Sequence, residues 1–213
     1  MALDTDWAID WTRRAADAVH AHRAELIALD REIGDGDHGG NLDRGFQAAL
    51  RSLDSEGPFT APGAVLRTVA TALIASVGGA SGPLFGTAYL RAGQAAGDAA
   101  ELDGPTTAAV LAAARDGVIA RGRAAAGDKT MVDAWVPAAQ AAEAASAAGG
   151  SALEVLVAAA GGAAAGAADT EPLVARKGRA SYLGDRSVGH RDPGAESTAL
   201  ILRTAVEAAE GRS

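Results

Sequence analysis

Leu29-Asp30-Arg31-Glu32-Ile33-Gly34-Asp35-Gly36-Asp37-His38-Gly39-Gly40-Asn41 is the stretch from which the rest of this 213-residue chain can be read. Three aspartates fall within eight residues, and His-Gly-Gly-Asn follows them. Packing carboxylates this densely gains no stability. Like charges repel, and each partly desolvated carboxylate costs free energy unless a cation neutralises it. Asp35 and Asp37 are one residue apart and project to the same side of an extended or turning backbone. Asp30 ends a helical run and can point back at them. The cation implied is hard and oxygen-seeking. Mg²⁺ fits best, because a few carboxylates commonly hold it while water and phosphate complete its octahedron.

Three other readings compete. A calcium loop starting at Asp35 needs an oxygen ligand at position 5 and a glutamate at position 12. Those positions are Gly39 and Phe46, so it fails. Gly34-x-Gly36-x-x-Gly39 has the letters of a dinucleotide fingerprint. It follows a helical pattern instead of a strand, and its aspartates would repel a pyrophosphate. A solvated acidic turn is the plain alternative, and it leaves the glycines and the His-Gly-Gly-Asn string without a role.

Outward from this stretch, helical spacing dominates and strand signals are nearly absent. A first helix is expected over 5–30, with Trp7, Trp11, Ala15, Val19, Leu26 and Leu29 on one face. Asn41 is the expected N-cap of a second, running through Phe46 and Leu50. Residues 51–60 read as a loop. Pro62 opens a third helix, interrupted by Gly78-Gly79-Ala80-Ser81-Gly82-Pro83, and a fourth follows from Leu84 to about Ala96. Gly104-Pro105 starts a fifth, to about Arg121, and a sixth runs from Thr130 to about Ala148. Ser151-Ala-Leu-Glu154 is a capping box for a seventh. Residues 169–194 are irregular, and an eighth helix spans Ala195 to about Glu210. Eight helices with short links predict an all-α, up-down antiparallel bundle.

Composition sets limits. At this length the chain is expected to form a single domain over 1–213 with a proper core. It is 48% apolar but only 4% aromatic, so the core is built from Ala, Leu and Val. There is no cysteine, hence no disulfide framework, and a cytoplasmic address is expected. The N-terminus lacks the basic and apolar regions of a signal peptide. The Ala/Gly stretch 155–168 is read as too short and too weakly apolar to span a membrane. A net charge of −8 argues against nucleic acid as a partner.

Two further loops carry chemistry. Gly78 to Pro83 has little or no side chain, lets backbone N–H groups approach an anion, and feeds a helix N-terminus whose dipole favours phosphate. A plain tight turn is the competing reading, and no Gly-Lys-Ser/Thr follows to make it a Walker loop. The string 178–195 is long enough to be functional, with Tyr182, Leu183 and Val188 as apolar anchors. Arg179, Arg186 and Arg191 could meet phosphate or be ordinary surface arginines. Gly127-Asp128-Lys129-Thr130-Met131 reads as a helix cap through Asp128 or Thr130, with Met131 facing a pocket. His20 and His22 read as structural or exposed, whereas His38 and His190 lie in the candidate site loops.

Leu29 to Gly39, Ser76-Val-Gly-Gly-Ala-Ser-Gly-Pro-Leu-Phe-Gly86, Gly127 to Met131 and the 178–195 string together resemble the L subunits of dihydroxyacetone kinases, in order and spacing along the chain. The resemblance implies an eight-helix antiparallel barrel with ADP or ATP held at one end by interhelical loops. It implies that Asp30, Asp35 and Asp37 hold two Mg²⁺ ions on the nucleotide phosphates. It also implies nucleotide contacts by His38, Gly39, Gly40, Asn41, Ala80, Ser81, Gly122, Met131, Arg179, Asp192, Pro193 and Gly194. Gly36 and Gly40 depart from the family pattern, loosening the metal loop without removing a ligand.

The same resemblance implies a division of labour. The ketose is held on a partner K subunit, through a histidine of that partner, so this chain contributes no catalytic residue of its own and His38 is given a positioning role. In free-standing L subunits ADP is often resident and is rephosphorylated by an M-type phosphocarrier of the phosphotransferase system; the other branch exchanges ADP for ATP. A homodimer is expected. Two other functions stay open: a kinase for another acceptor, such as erythrulose or a fatty acid, and a nucleotide-loaded sensor that binds a transcription regulator.

Overall fold

The computed structural model describes residues 3–211, so the two residues at each end of the expected 1–213 unit, including the start of the N-terminal stretch, lie outside the described residues. Nine α-helices run through them: α1 (Thr5–Ala21), α2 (Arg23–Ile33), α3 (His38–Glu56), α4 (Pro62–Ser76), α5 (Ser81–Ala96), α6 (Gly104–Gly122), α7 (Val132–Ala147), α8 (Ala152–Asp169) and α9 (Pro193–Glu210). A 3₁₀ segment, Arg179–Ser187, stands in the long link before α9. Two short strands, β1 (Leu3–Asp4) and β2 (Glu101–Leu102), pair antiparallel.

The all-α expectation holds, and the helix count differs by one. The expected first helix is broken at His22 (φ −95°, ψ 9°) into α1 and α2. There the imidazole Nδ1 donates to the Ala18 carbonyl at 2.9 Å, the same carbonyl the His22 backbone N–H uses. Consecutive helices from α3 to α9 pack side by side, and α1 packs on both α3 and α9, so eight helices close into a ring. α2 is the ninth, against α3, α9 and the 3₁₀ segment. Short links make consecutive helices from α3 to α8 antiparallel, and the long link before α9 brings its start to the end where α3 and α5 begin.

Indole groups join the ends of the ring. Trp7 Nε1 donates to the Ala205 carbonyl (3.1 Å) and Trp11 Nε1 to the Ile201 carbonyl (3.0 Å), tying α1 to α9. Trp7, Trp11 and Tyr89 stack in sequence, with centroids 5.2 and 5.3 Å apart, and Phe46 meets Tyr89 edge-on. Around this aromatic column the interior is Ala, Val and Leu, as the composition requires. Small residues let helices approach closely. A Cβ on Gly63 of α4 would lie 2.2 Å from the Gly97 carbonyl oxygen after α5, and one on Gly93 would lie 2.8 Å from that of Gly63.

Tyr89 Oη and Trp135 Nε1 are buried, and neither has a hydrogen-bond partner among the described residues. Burial pushes the Tyr89 phenol far above its usual range. Deleting an unpartnered buried hydroxyl removes a desolvation penalty. Tyr89→Phe is therefore expected to leave stability unchanged or raise it by up to about 1 kcal/mol, read from the urea midpoint. A loss of that size would show that the hydroxyl has a partner after all.

α8 corrects the membrane reading. It runs 18 residues with a mean hydropathy of 1.3, long and apolar enough by length and composition to cross a membrane. Here it packs between α7 and α9 and buries Val155, Leu156, Ala159 and Ala163. The expected capping box is present: Ser151 and Glu154 exchange side-chain-to-backbone hydrogen bonds at its start. The sequence underestimates its length because alanine and glycine carry the helix past the apolar stretch.

Candidate functional site

Because neighbouring helices alternate in direction, α3, α5, α7 and α9 all begin at one end of the ring. The links that precede them supply the walls of a single cleft: Gly34 to Asp37, Gly78 to Ala80, Lys129 to Met131, and Lys177 to Ala180 with Asp192. Four helix N-termini thus bring their partial positive charges to this end. The all-around dipole favours an anion, and the acidic loop beside it favours a cation.

Asp30 organises that loop. It sits in the last turn of α2, buried, and its Oδ2 accepts hydrogen bonds from the backbone N–H groups of Asp37 (2.8 Å) and His38 (3.1 Å). Its Oδ1 lies 2.1 Å from where a Cβ on Gly34 would stand, which is why that position is glycine. Gly36 turns the chain at φ +73°, a conformation glycine adopts without strain. One carboxylate oxygen from each of Asp30, Asp35 and Asp37 lies within 4.8 Å of the others. Oxygens sharing one octahedral ion at about 2.1 Å lie about 3 to 4 Å apart, so the three carboxylates converge closely enough for small side-chain rotations to bring them onto Mg²⁺, whose preferred donor they supply. Arg179 Nη2 meets Asp35 Oδ2 at 3.0 Å. Both side chains are well exposed, so this pair contributes little to stability.

α3 starts at His38, three residues before the expected cap. Asp30 already takes the N–H groups of the first turn, the Asn41 N–H bonds the Asp37 carbonyl, and the Asn41 side chain accepts from Arg44. α3 also runs on to Glu56, through most of the stretch read as a loop.

His38 joins three helices. Its Nδ1 is 3.0 Å from Ser81 Oγ and its Nε2 is 2.9 Å from Ser197 Oγ. Ser197 Oγ donates to the Gly194 carbonyl (3.1 Å), so it accepts from His38 Nε2–H; with the proton on Nε2, Nδ1 accepts from the Ser81 hydroxyl. This pattern belongs to the neutral imidazole, the form favoured by burial, which pushes the His38 pKa down against the pull of Asp30, Asp37 and a hydrogen bond to the Pro193 backbone. The α5 N-terminus next to it has no side-chain cap, which leaves backbone N–H groups of its first turn for a ligand. α9 is capped by Asp192, whose Oδ2 accepts from Ala195 N–H at 2.8 Å. Burial raises the Asp192 carboxyl to about 7, with Asp133 adding to the rise and the Ala195 hydrogen bond and Lys129 opposing it.

A second, more apolar pocket adjoins the cleft and shares Ala80, Leu84, Thr130, Met131, Lys177 and Gly178 with it. Pro83, Val118, Arg121, Gly122, Ala124 and Val132 complete its walls. Of the residues expected at the site, Asp30, Asp35, Asp37, His38, Ala80, Ser81, Met131, Arg179, Asp192, Pro193 and Gly194 line the cleft, and Gly122 lines the apolar pocket. Gly39, Gly40 and Asn41 line neither. Gly39 faces α2, where a Cβ would lie 2.4 Å from the Arg23 carbonyl oxygen, and the Asn41 side chain lies under Gly78. Arg186 and His190 are outside the cleft lining, and Arg191 pairs with Glu171 and Glu196.

The sequence reading assigned no site contact to Ile33, Leu84, Lys129, Thr130, Lys177, Gly178 or Ala180, all of which line the cleft. Lys177 and Gly178 directly precede Arg179, which was the available signal. Of the two residues expected to cap here, Thr130 does so, its Oγ1 accepting from Val132 N–H, whereas Asp128 Oδ2 accepts from Ala125 N–H; Asp133 accepts from the N–H groups of Gly127 and Thr130.

The DAK2 domain family matches residues 32–207. The chain is 41% identical over 210 residues to the ADP-binding subunit DhaL of the PEP-dependent dihydroxyacetone kinase of Escherichia coli K12, covering 99% of this chain and 100% of that protein. It is 37% identical over 207 residues to the corresponding subunit of kinase 1 of Listeria innocua, covering 97% of this chain and 98% of that one. The fold resembles that of the dihydroxyacetone kinase of C. freundii solved with AMP-PNP and Mg²⁺, with a TM-score of 0.69 at 23% identity over 95% of this chain. This chain spans 33% of that longer one. Matched over most of its length, the chain belongs to the DAK2 domain family.

Proposed function

We propose that this chain is the ADP-binding subunit of a PEP-dependent dihydroxyacetone kinase, a phosphotransferase component that works with a ketose-holding K subunit. The observation that carries the reading is one cleft where three carboxylates face the uncapped N-terminus of α5. The names of the Escherichia coli and Listeria relatives support it. The reading takes 1–213 as one nucleotide-binding unit in the cytoplasm, homodimeric, with an M-type phosphocarrier as the source of phosphoryl groups.

In this reading Asp30, Asp35 and Asp37 hold two Mg²⁺ ions, which when bound neutralise phosphate charge. The backbone N–H groups at Ala80 and Ser81 and the Arg179 guanidinium take phosphate oxygens. Asp192, Pro193 and Gly194 close the cleft from the α9 side, and the first turn of α3, Gly39 to Asn41, lies beneath the phosphate end. The pocket of Leu84, Val118, Gly122 and Met131 takes the base, being apolar and next to the phosphate cleft. Neutral His38 fixes Ser81 at the head of α5, a positioning role, because both its ring nitrogens are already bonded.

Native mass analysis of the purified chain tests the reading: it is expected to carry one ADP and two metal ions. Arg179→Ala is expected to weaken ADP about tenfold or more, the loss of a charged hydrogen bond, with the helical circular-dichroism signal unchanged. Unchanged affinity would return Arg179 to the surface.

A further inference from the structure

The long link that carries Arg179 is held from beneath by one ammonium group. Lys129 is 1% exposed. Its Nζ donates to the backbone carbonyls of Glu171 (3.3 Å), Leu173 (3.0 Å) and Ser187 (2.6 Å). The first two open the link, and the third ends its 3₁₀ segment. The neck is pinned again nearby: Arg176 N–H donates to the Asp128 carbonyl (3.0 Å), Ala175 N–H to Ser187 Oγ (2.9 Å) and Gly189 N–H to the Glu171 carbonyl (2.8 Å). Beyond the neck, the Lys177-Gly178-Arg179 tip reaches the cleft.

Two features show that the ammonium itself matters. Lys129 has φ +61°, a backbone conformation that lysine seldom adopts, so backbone geometry does not favour this residue. A buried ammonium is costly unless each N–H is bonded, and here three carbonyls take its three hydrogens. Although Lys129 borders the cleft, no hydrogen remains for a phosphate. Without the ammonium, loop carbonyls from both ends of the link would lose their shared donor.

We propose that Lys129 is a positioning residue for nucleotide retention: its ammonium locks the neck of the 171–187 link and so presents Arg179 to the cleft. The nucleotide part rests on the function proposed above; the lock does not.

The test is a double-mutant cycle on the full chain with Mg²⁺, using ADP as the probe in calorimetry. Lys129→Met keeps the stem and removes the donors. It is expected to weaken ADP binding by about ten- to a hundredfold. In an Arg179→Ala background the same substitution is expected to cost less than about threefold, because Lys129 acts through Arg179. Trypsin is expected to cut faster after Arg176, Lys177 or Arg179 in Lys129→Met than in the parent chain, with the circular-dichroism signal unchanged. If Lys129→Met does not fold, Lys129→Gln, which keeps a neutral donor, enters the same cycle. Unchanged ADP affinity, fully multiplicative losses, or unchanged trypsin cleavage would each overturn the proposal. A parent chain that binds no ADP would defeat the functional reading instead, and the trypsin comparison would still decide the lock.

Discussion

Removing divalent metal with a chelator is expected to release ADP and lower the melting temperature of the nucleotide-loaded chain by roughly 5 to 10 °C. The reason is the charge balance of the cleft. Asp30, Asp35 and Asp37 offer oxygens within 4.8 Å of one another, and the phosphates of ADP add more negative charge. The chain's own positive charge there is modest. Lys177 lines the cleft, Arg179 is exposed and already meets Asp35, Lys129 has spent its hydrogens on the link, and each helix N-terminus is worth about half a charge. A ligand present at about a hundred times its dissociation constant stabilises the native state by about 2.7 kcal/mol, which sets the size of the shift for a chain of this length. Thermal melts with ADP, with and without EDTA, measure it. The three aspartates differ in what they do besides. Asp35→Asn and Asp37→Asn remove a ligand. Asp30→Ala also releases the N–H groups of Asp37 and His38, so it is expected to destabilise the apo chain by a further 1 to 3 kcal/mol or so. ADP that stays tightly bound in EDTA would mean that the aspartates are not its clamp.

The second large effect is all-or-none. Purified chain with nucleotide, Mg²⁺ and dihydroxyacetone is expected to give no phosphorylated ketose above background. Adding a cognate K subunit, with the phosphocarrier where ATP does not suffice, restores turnover. General acid–base work on a hydroxyl needs a group within hydrogen-bond reach of it. His38 has a serine on each ring nitrogen. Lys129 is committed to three carbonyls. Asp192, with its carboxyl at about 7, caps α9 through Ala195. Each of these three already has a structural task. Product from this chain alone would sink the two-component reading and reopen His38, His190 and Asp192 as candidates.

The sequence by itself determined the helical class and the metal loop. Apolar spacing, Pro at helix starts and the Ser151 capping box are local signals, and they placed most helices within a few residues. Asp30, Asp35 and Asp37 stood out because their mutual repulsion is already visible in one dimension. What depended on distant partners was not legible. Asn41 looks like a cap, but the carboxylate of Asp30 takes that work from the preceding helix. Lys129 reads as part of a cap until the link beginning at Glu171 folds over it. His38 meets Ser197 across 159 residues, a contact that no local pattern encodes. Local propensity and charge density are properties of neighbouring residues, so the chain states them directly. Which buried polar group satisfies which other one is decided only when the ring closes, α9 returns to α1, and the links at one end meet.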